Sequence, residues 1–375
     1  MSGIYIHIPF CKKKCNYCDF FSVCNSLDIE NLIKAEITEL RLRKDYLENS
    51  VIDSIYFGGG TPSILDIKYI ELLLNNIFFY FKVNENCEVT LEANPDDLND
   101  LFLKQLNKIG INRLSIGIQS FNNDILKFLG REHNAEMLPS IITLAKSNGF
   151  CNISVDLMFG IPGFSNVSQL SSLSSAMELD IQHISVYGLS IEKKSLFFKW
   201  VKNKRINELN EEDFIKQFDF IIEFLTSNGF DHYEISNYCK AGYISVHNSS
   251  YWNNISYLGI GPSAHSYNFI SRQWNISNLK SYILLVNSCK VFYEVEYLSL
   301  IDKFNEYLIT GLRTKFGVSL NVIKEKFSDK IINFFINNIL IMESQGYVTS
   351  TNGIYSLTRK GLVLSDFVIE KLFIV

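Results

Sequence analysis

The chain has 375 residues, of which 47% are apolar and 20% charged, the balance of a folded soluble protein and a length for two domains or one large barrel with an appendage. A net charge of −5 argues against a general nucleic-acid surface. No apolar run approaches the ~20 residues of a membrane span, and the start Met1-Ser2-Gly3-Ile4-Tyr5 lacks the pattern of a signal peptide, so a cytoplasmic location with at most peripheral membrane contact is expected.

The first predicted element is a strand, Ile4–Ile8, broken by Pro9-Phe10. Directly after it stand Cys11, Cys15 and Cys18. The spacing C-x3-C-x2-C puts three soft thiolates on one tight loop, with no obvious fourth ligand beside them. A closed structural zinc site needs four ligands, and one completed by Asp19, Cys24 or a distant histidine stays open. Three thiolates with an open position suit a reactive iron–sulfur cluster. The other cysteines, Cys24, Cys87, Cys151, Cys239 and Cys289, stand singly and read as small buried hydrophobes. Eight cysteines in this length are too sparse for a disulfide framework.

Strands and helices then alternate. Helical patterns cover Ile29–Leu47, Ile67–Phe81, Leu98–Lys108, Met137–Ser147 and Val167–Leu179; strands are expected at Ser54–Phe57, Glu88–Glu92, Arg113–Gln119, Asn152–Met158 and His183–Tyr187. Repeated βα units argue for a parallel sheet. Each strand has one polar face, because side chains alternate with period two: Tyr5 and His7; Glu88, Thr90 and Glu92; Arg113, Ser115, Gly117 and Gln119; Asn152, Ser154 and Asp156; His183, Ser185 and Tyr187. An open sheet could show that face to water, or a partly closed barrel could hold a polar ligand with it. Glu92, Gln119 and Asp156 favour the barrel, since they fall near strand C-terminal ends, where parallel folds place their sites. Gly58-Gly59-Gly60-Thr61-Pro62 follows one strand as a turn whose backbone a ligand can approach closely.

From about Ile301 the pattern changes to helices followed by Gly346-Tyr347-Val348 and Ile354-Tyr355-Ser356-Leu357-Thr358, a hairpin around Asn352-Gly353. That is winged-helix-like. Nine Lys and Arg against seven Asp and Glu in residues 301–375 make too weak a phosphate footprint, so a lid or partner-docking role is expected and nucleic acid is not.

Several blocks, in order and spanning essentially the whole chain, resemble the radical S-adenosylmethionine enzymes and specifically the oxygen-independent coproporphyrinogen III oxidase family. They are Tyr5-x-His7-Ile8-Pro9-Phe10-Cys11-x3-Cys15-x-Tyr17-Cys18, Gly58-Gly59-Gly60-Thr61-Pro62, Glu92-Ala93-Asn94-Pro95, Leu114 to Phe121, Leu129-Gly130-Arg131-x-His133 and Asp156 to Gly163. The resemblance implies a partial (β/α)6 radical SAM barrel of α/β class with a C-terminal mixed α+β, winged-helix-like domain. It implies a 4Fe–4S cluster on Cys11, Cys15 and Cys18. S-adenosylmethionine would be contacted by Tyr5, Tyr17, Gly59, Gly60, Thr61, Glu92, Gln119, Arg131 and Asp156.

Two features separate the branches of that family. The oxidases carry a further cysteine two residues past the third ligand, where this chain has Phe20. In addition, His247-Asn248-x-x-Tyr251-Trp252 matches a motif of the family's heme-chaperone branch, implying a heme site at His247, Asn248, Tyr251 and Trp252, with His265 as a secondary candidate. The resemblance thus implies a heme-binding chaperone that passes heme to acceptor proteins, respiratory ones among the candidates, without oxidase activity; a homodimer stays open. The alternative is an oxidase making protoporphyrinogen. Three units are expected: a core barrel over 1–235, a bridge with the His-Asn-x-x-Tyr-Trp motif over 236–300, and a helical, winged domain over 301–375.

Overall fold

The computed structural model describes residues 1–24, 27–48 and 50–374. Alternation of Ile4, Ile6 and Ile8 with Tyr5 and His7 gives strand β1 (Ser2–Ile8) an apolar face from Ile4 onward. The same pattern builds β2 (Ile52–Gly59), β3 (Val83–Ala93), β4 (Arg113–Gln119), β5 (Asn152–Phe159) and β6 (His183–Gly188). These six strands pair in parallel in chain order, each reaching the next through a helical crossover, as parallel pairing requires.

The helices Ile29–Leu42, Ile67–Tyr80, Asp100–Lys108, Leu138–Ser147 and Asn166–Glu178 cover the apolar face. Leu32, Leu40, Leu73, Ile77, Leu103, Ile141 and Leu173 join Ile6, Phe57, Leu91, Ile116 and Val155 in one core. Each such side chain contributes about 1.5–3 kcal/mol by leaving water. Side-chain caps start several of these helices: Asp66 accepts from the Lys68 N–H, Asn99 from Phe102 and Ser165 from Ser168. The first helix was expected to reach Leu47 but ends at Leu42. There Arg43 turns inward, donating to Glu39 at 3.3 Å and to Gln273 at 2.6 Å, and Leu47 reaches the core from a turn.

The polar face decides between the two arrangements left open above. Ser54, Thr90, Ser154 and His183 are 0% exposed and Arg113 1%. A sheet showing that face to water would expose all five, so the strands curl around it. The curled sheet is α/β and barrel-like, and it does not close. It has twelve strands in the order β12-β11-β10-β9-β1-β2-β3-β4-β5-β6-β8-β7. On one side β7 (Asp231–Glu234) and β8 (Asn237–Cys239) extend it. On the other, β9 (Tyr257–Ile260) runs parallel to β1, and β10 (His265–Tyr267), β11 (Ser271–Asn275) and β12 (Tyr293–Tyr297) continue it as antiparallel strands. The pattern had not marked β9–β12, which are short and mix glycine, serine and charge.

A second core lies in the C-terminal residues, where Phe304, Leu308, Phe335, Ile339 and Val368 pack together. Here β13 (Val318–Ser319), β14 (Val348–Thr351) and β15 (Ile354–Leu357) form a small antiparallel sheet. The expected hairpin is present: Asn352 and Gly353 both have positive φ, 52° and 77°, as a tight two-residue turn needs. Of the single cysteines, Cys87 and Cys239 are buried as expected. Cys24, Cys151 and Cys289 are exposed, the last two because they sit in turns between elements. Among the described residues, no helix is long and apolar enough to cross a membrane.

Candidate functional site

A cleft of about 650 Å³ opens at the C-terminal ends of the central strands. Cys11, Cys15, Tyr17, Cys18, Gly59, Gly60, Thr61, Glu92, Gln119, Arg131 and Asp156 all line it. The sequence placed these on six separate strand ends and loops; the fold brings them to one site. Tyr5 is not among the lining residues. It lies further inside, with its hydroxyl 3.1 Å from His7 Nδ1 and its ring stacked on Tyr56.

The cysteine loop leaves β1 at Pro9 and is pinned at both base and tip. Cys11 N–H donates to Val23 and Val23 N–H to Pro9, at 3.0 and 2.7 Å. At the tip, Asn16 N–H and side chain donate to Leu129 and Phe128, the end of the helix Asn123–Leu129. Thr61 Oγ1 and Arg131 Nη1 each lie 3.6 Å from a sulfur, of Cys11 and Cys15 respectively. Burial pushes the Cys11 thiol up and that of Cys18 to about 11. A bound cation would reverse that, because a coordinating thiol is deprotonated. Among the described residues, no three His, Cys, Asp or Glu side chains converge on one metal ion. A cluster that gives each thiolate its own iron does not need such convergence, and the three-sulfur donor set facing a cleft fits one.

The glycine turn is braced rather than loose. Gly59 N–H donates to Glu92 Oε2 at 3.1 Å, Gly60 N–H to Ile8 at 2.8 Å and Thr61 N–H to Phe10 at 2.8 Å. With those donors committed, a ligand would meet the turn's carbonyls. Gly60 is also where the turn touches the base of the cysteine loop. A Cβ there would lie 2.7 Å from the Phe10 carbonyl oxygen and 2.8 Å from that of Ile8. Both are backbone and cannot swing aside. Gly60→Ala is therefore expected to cost about 2 kcal/mol in stability and to shift the cysteine loop, as chemical denaturation together with the iron content of the purified chain would read.

Two carboxyls, Glu92 on β3 and Asp156 on β5, line the cleft. Glu92 accepts from Tyr56 at 2.8 Å as well as from Gly59. Burial pushes it up to about 7, with Asp156 adding like-charge repulsion. Asp156 is likewise raised by burial and accepts from Ser115 at 3.3 Å. Gln119 ends β4 with φ 67° at a break in the pairing to β5, a backbone conformation that costs energy outside glycine and clusters at functional sites. Arg131 Nη2 donates to Asn94 at 2.6 Å and to the Gly117 carbonyl at 2.7 Å, so one guanidinium ties β3, β4 and the cysteine loop together. Sequence reasoning had not singled out Asn94, Met158, Tyr187 or Leu189, which also line the cleft. Three of them carried a signal: Asn94 and Met158 stand inside motif blocks, and Tyr187 on the polar face of its strand; Leu189 carried none.

His247, Asn248, Tyr251 and Trp252 lie elsewhere, outside the cleft lining. They form a short helix, Val246–Trp252, across the N-terminal ends of the strands. His247 is 1% exposed. Its Nδ1 lies 2.9 Å from Ser54 Oγ and its Nε2 2.9 Å from the Tyr251 hydroxyl. Its ring stacks on Tyr56 at 4.9 Å, and Glu88 accepts from its backbone N–H at 2.9 Å. Burial and the cation of Arg113 hold its pKa near 3. Asn248, Tyr251 and Trp252 are half-buried. In this arrangement the motif closes the end of the barrel opposite the cysteines, with both ring nitrogens already engaged.

Residues 5–168 match the radical SAM superfamily and residues 298–364 the HemN C-terminal domain. The chain is 32% identical to a protein of Bacillus subtilis named heme chaperone HemW, over 98% of this chain and 97% of that one. It is 33% identical to the Haemophilus influenzae protein of the same name, over 98% and 97%. Among solved structures, coproporphyrinogen III oxidase (HemN) from Escherichia coli superposes with a TM-score of 0.86, over 99% of this chain and 89% of that one. Its sequence identity is 21%, so that likeness speaks for the fold alone.

Proposed function

Because this chain belongs to the heme chaperone HemW family of the radical SAM superfamily, we propose that it binds heme and hands it to heme-dependent acceptor proteins. In this reading Cys11, Cys15 and Cys18 hold a 4Fe–4S cluster, and S-adenosylmethionine occupies the cleft between the cluster and the carboxyls. The cluster would supply an open iron able to chelate an amino and a carboxylate group. Arg131 and the carbonyls of the glycine turn would orient the ligand's polar groups, with Glu92 and Asp156 accepting from hydroxyls and ammonium. The divisions 1–235, 236–300 and 301–375 serve as working units, the last as a lid or docking surface.

The observation that carries the choice of a chaperone over an oxidase is Phe20. It stands where the oxidases carry cysteine, is 69% exposed and lines the cleft. The deciding experiment measures saturable hemin binding and coproporphyrinogen turnover on one anaerobic, cluster-reconstituted sample. Heme binding without turnover is expected. Sustained porphyrinogen oxidation would overturn the reading in favour of the oxidase.

Glu92 gives this reading a pH signature. Near its raised pKa of about 7 the carboxyl is partly protonated in the ligand-free cleft. A cationic ligand beside it favours the ionised form, so binding releases a proton. Affinity for S-adenosylmethionine is expected to rise as pH increases through 7. Glu92→Gln should weaken binding about tenfold and flatten that dependence, as calorimetry in buffers of different ionisation enthalpy would show.

A further inference from the structure

We propose that β12, the open edge of the twelve-stranded sheet, docks an extended segment of a partner protein in which basic residues alternate with apolar ones, adding it to the sheet as a further strand. The inference goes beyond the heme reading and does not rest on it.

The two edges of the sheet differ. At β7 the C-terminal residues cover the edge: Glu234 bridges to Thr314, Ile235 N–H donates to the Arg313 carbonyl at 3.0 Å and Lys315 N–H to that of Tyr233 at 3.1 Å. At the other end β12 pairs with β11 alone among the described residues. Glu294, Val295, Glu296 and Tyr297 are all exposed, Tyr297 to 77%. The strand runs unbroken against β11. It carries no proline, lysine or bulge, the devices that usually blunt an exposed edge.

Which backbone groups face outward follows from the ladder. Leu298 N–H donates to the Ile270 carbonyl and Ile276 N–H to that of Phe292. With Ser271 opposite Tyr297 and Asn275 opposite Tyr293, Glu294 and Glu296 therefore turn their N–H and C=O groups toward β11. Antiparallel pairs alternate, so the N–H and C=O of Tyr293, Val295 and Tyr297 point to the open edge. They have no hydrogen-bond partner among the described residues. Donors and acceptors at every second residue are what an added strand pairs with.

The side chains choose the partner. Glu294 lies opposite Trp274 and Glu296 opposite Arg272, so both carboxylates share one face. Glu294 accepts from the Trp274 indole N–H at 3.2 Å. Arg272 is committed to Glu306, and Glu296 has no ion-pair partner among the described residues. The opposite face of the edge carries Val295 and Tyr297, and exposed Phe269 and Ile270 add apolar surface at the Tyr297 end. A strand with Lys or Arg beside the glutamates and apolar residues beside Val295 and Tyr297 meets both faces, and period-two alternation supplies that pattern. A second copy of this chain fits less well. Full antiparallel overlap of Tyr293-Glu294-Val295-Glu296-Tyr297 with itself sets Glu294 opposite Glu296, and like charges directly opposite are destabilising.

The probe is a short fluorescent peptide of alternating lysine and valine, titrated into the full chain and followed by anisotropy. Saturable binding is expected, at least about tenfold tighter than that of the glutamine–valine counterpart. Val295→Pro is the discriminating variant. The Val295 N–H faces outward, so proline leaves the β11 ladder intact while removing the central donor. The Kd is expected to rise about tenfold, with unchanged far-ultraviolet circular dichroism. Glu294→Gln combined with Glu296→Gln should weaken binding similarly and flatten its dependence on salt. If Val295→Pro binds as the unaltered chain does, charge alone holds the peptide and strand addition falls. If the double glutamine variant binds unchanged, the basic partner falls. Absence of saturable binding overturns the proposal outright. A concentration-dependent dimer that Val295→Pro dissolves would overturn it in favour of a second copy.

Discussion

A chain carrying Cys15→Ser is expected to fold normally and to hold essentially no iron–sulfur cluster after anaerobic reconstitution. Serine keeps the size of the side chain and can accept from Arg131 where the Cys15 sulfur does, and the loop's other fixings run through Cys11, Val23 and Pro9 at the base and Asn16 at the tip. What is lost is one of three soft donors in a set with no spare ligand on the loop. Iron content and the visible charge-transfer absorbance should fall at least tenfold, while the far-ultraviolet circular dichroism stays that of the unaltered chain. A full cluster on the serine variant would contradict the assignment of the three cysteines. The same sample separates two coupled roles: if hemin still binds, the heme site stands apart from the cluster.

The second large effect is at the other end of the barrel. His247→Ala is expected to destabilise the fold by about 3–5 kcal/mol. The substitution removes a buried ring that stacks on Tyr56 and strands the Ser54 and Tyr251 hydroxyls without their partner. Urea denaturation at neutral pH measures it. An unchanged midpoint would show that the motif is not the plug described here. Acid should act through the same residue. The folded state holds His247 near 3, against about 6.5 in an unfolded chain, so the unfolded state takes up the proton first as pH falls. The stability from keeping this ring neutral is fully present above about 6.5 and drains away between there and about 3. His7 and His133, each lowered to about 4 by burial, act in the same direction. The buried carboxyls of Glu92 and Glu234, raised to about 7, act oppositely and favour acid. The denaturation midpoint of His247→Gln should therefore change less steeply toward acid between pH 6 and pH 4 than that of the unaltered chain, the difference being the His247 share.

Much of this was legible in the residues. Three cysteines on one loop give three soft donors side by side wherever the loop ends up, because their spacing is local, and the fold turns them toward the cleft. Period-two alternation likewise marked the six parallel strands and named their polar faces, and Asn352-Gly353 announced its hairpin. Helix ends were less legible: nothing local says that Arg43 will turn inward to Gln273, a partner 230 positions away. The short strands β9–β12 were missed for a related reason. Their apolar pattern is weak, and they exist because β1 offers an open edge for β9 to pair with.

Composition and the alternation of strands and helices by themselves determined the α/β class of the fold, and the cysteine spacing the three soft donors that its cleft presents. Only the tertiary structure decided which polar faces are buried and which histidines are engaged. Alternation says that Ser54, Arg113 and His183 share a side of the sheet; it cannot say whether that side meets water, because curvature is a property of all the strands together. Nor can a motif say whether its histidine is free. His247 stands in the block that reads as a heme site, yet its two nitrogens are engaged by Ser54, 193 positions away, and by Tyr251. His265 is exposed, and its ring has no hydrogen-bond partner among the described residues. Accessibility and hydrogen-bond partners are set by contacts distant in sequence, so only the folded chain could tell these two histidines apart.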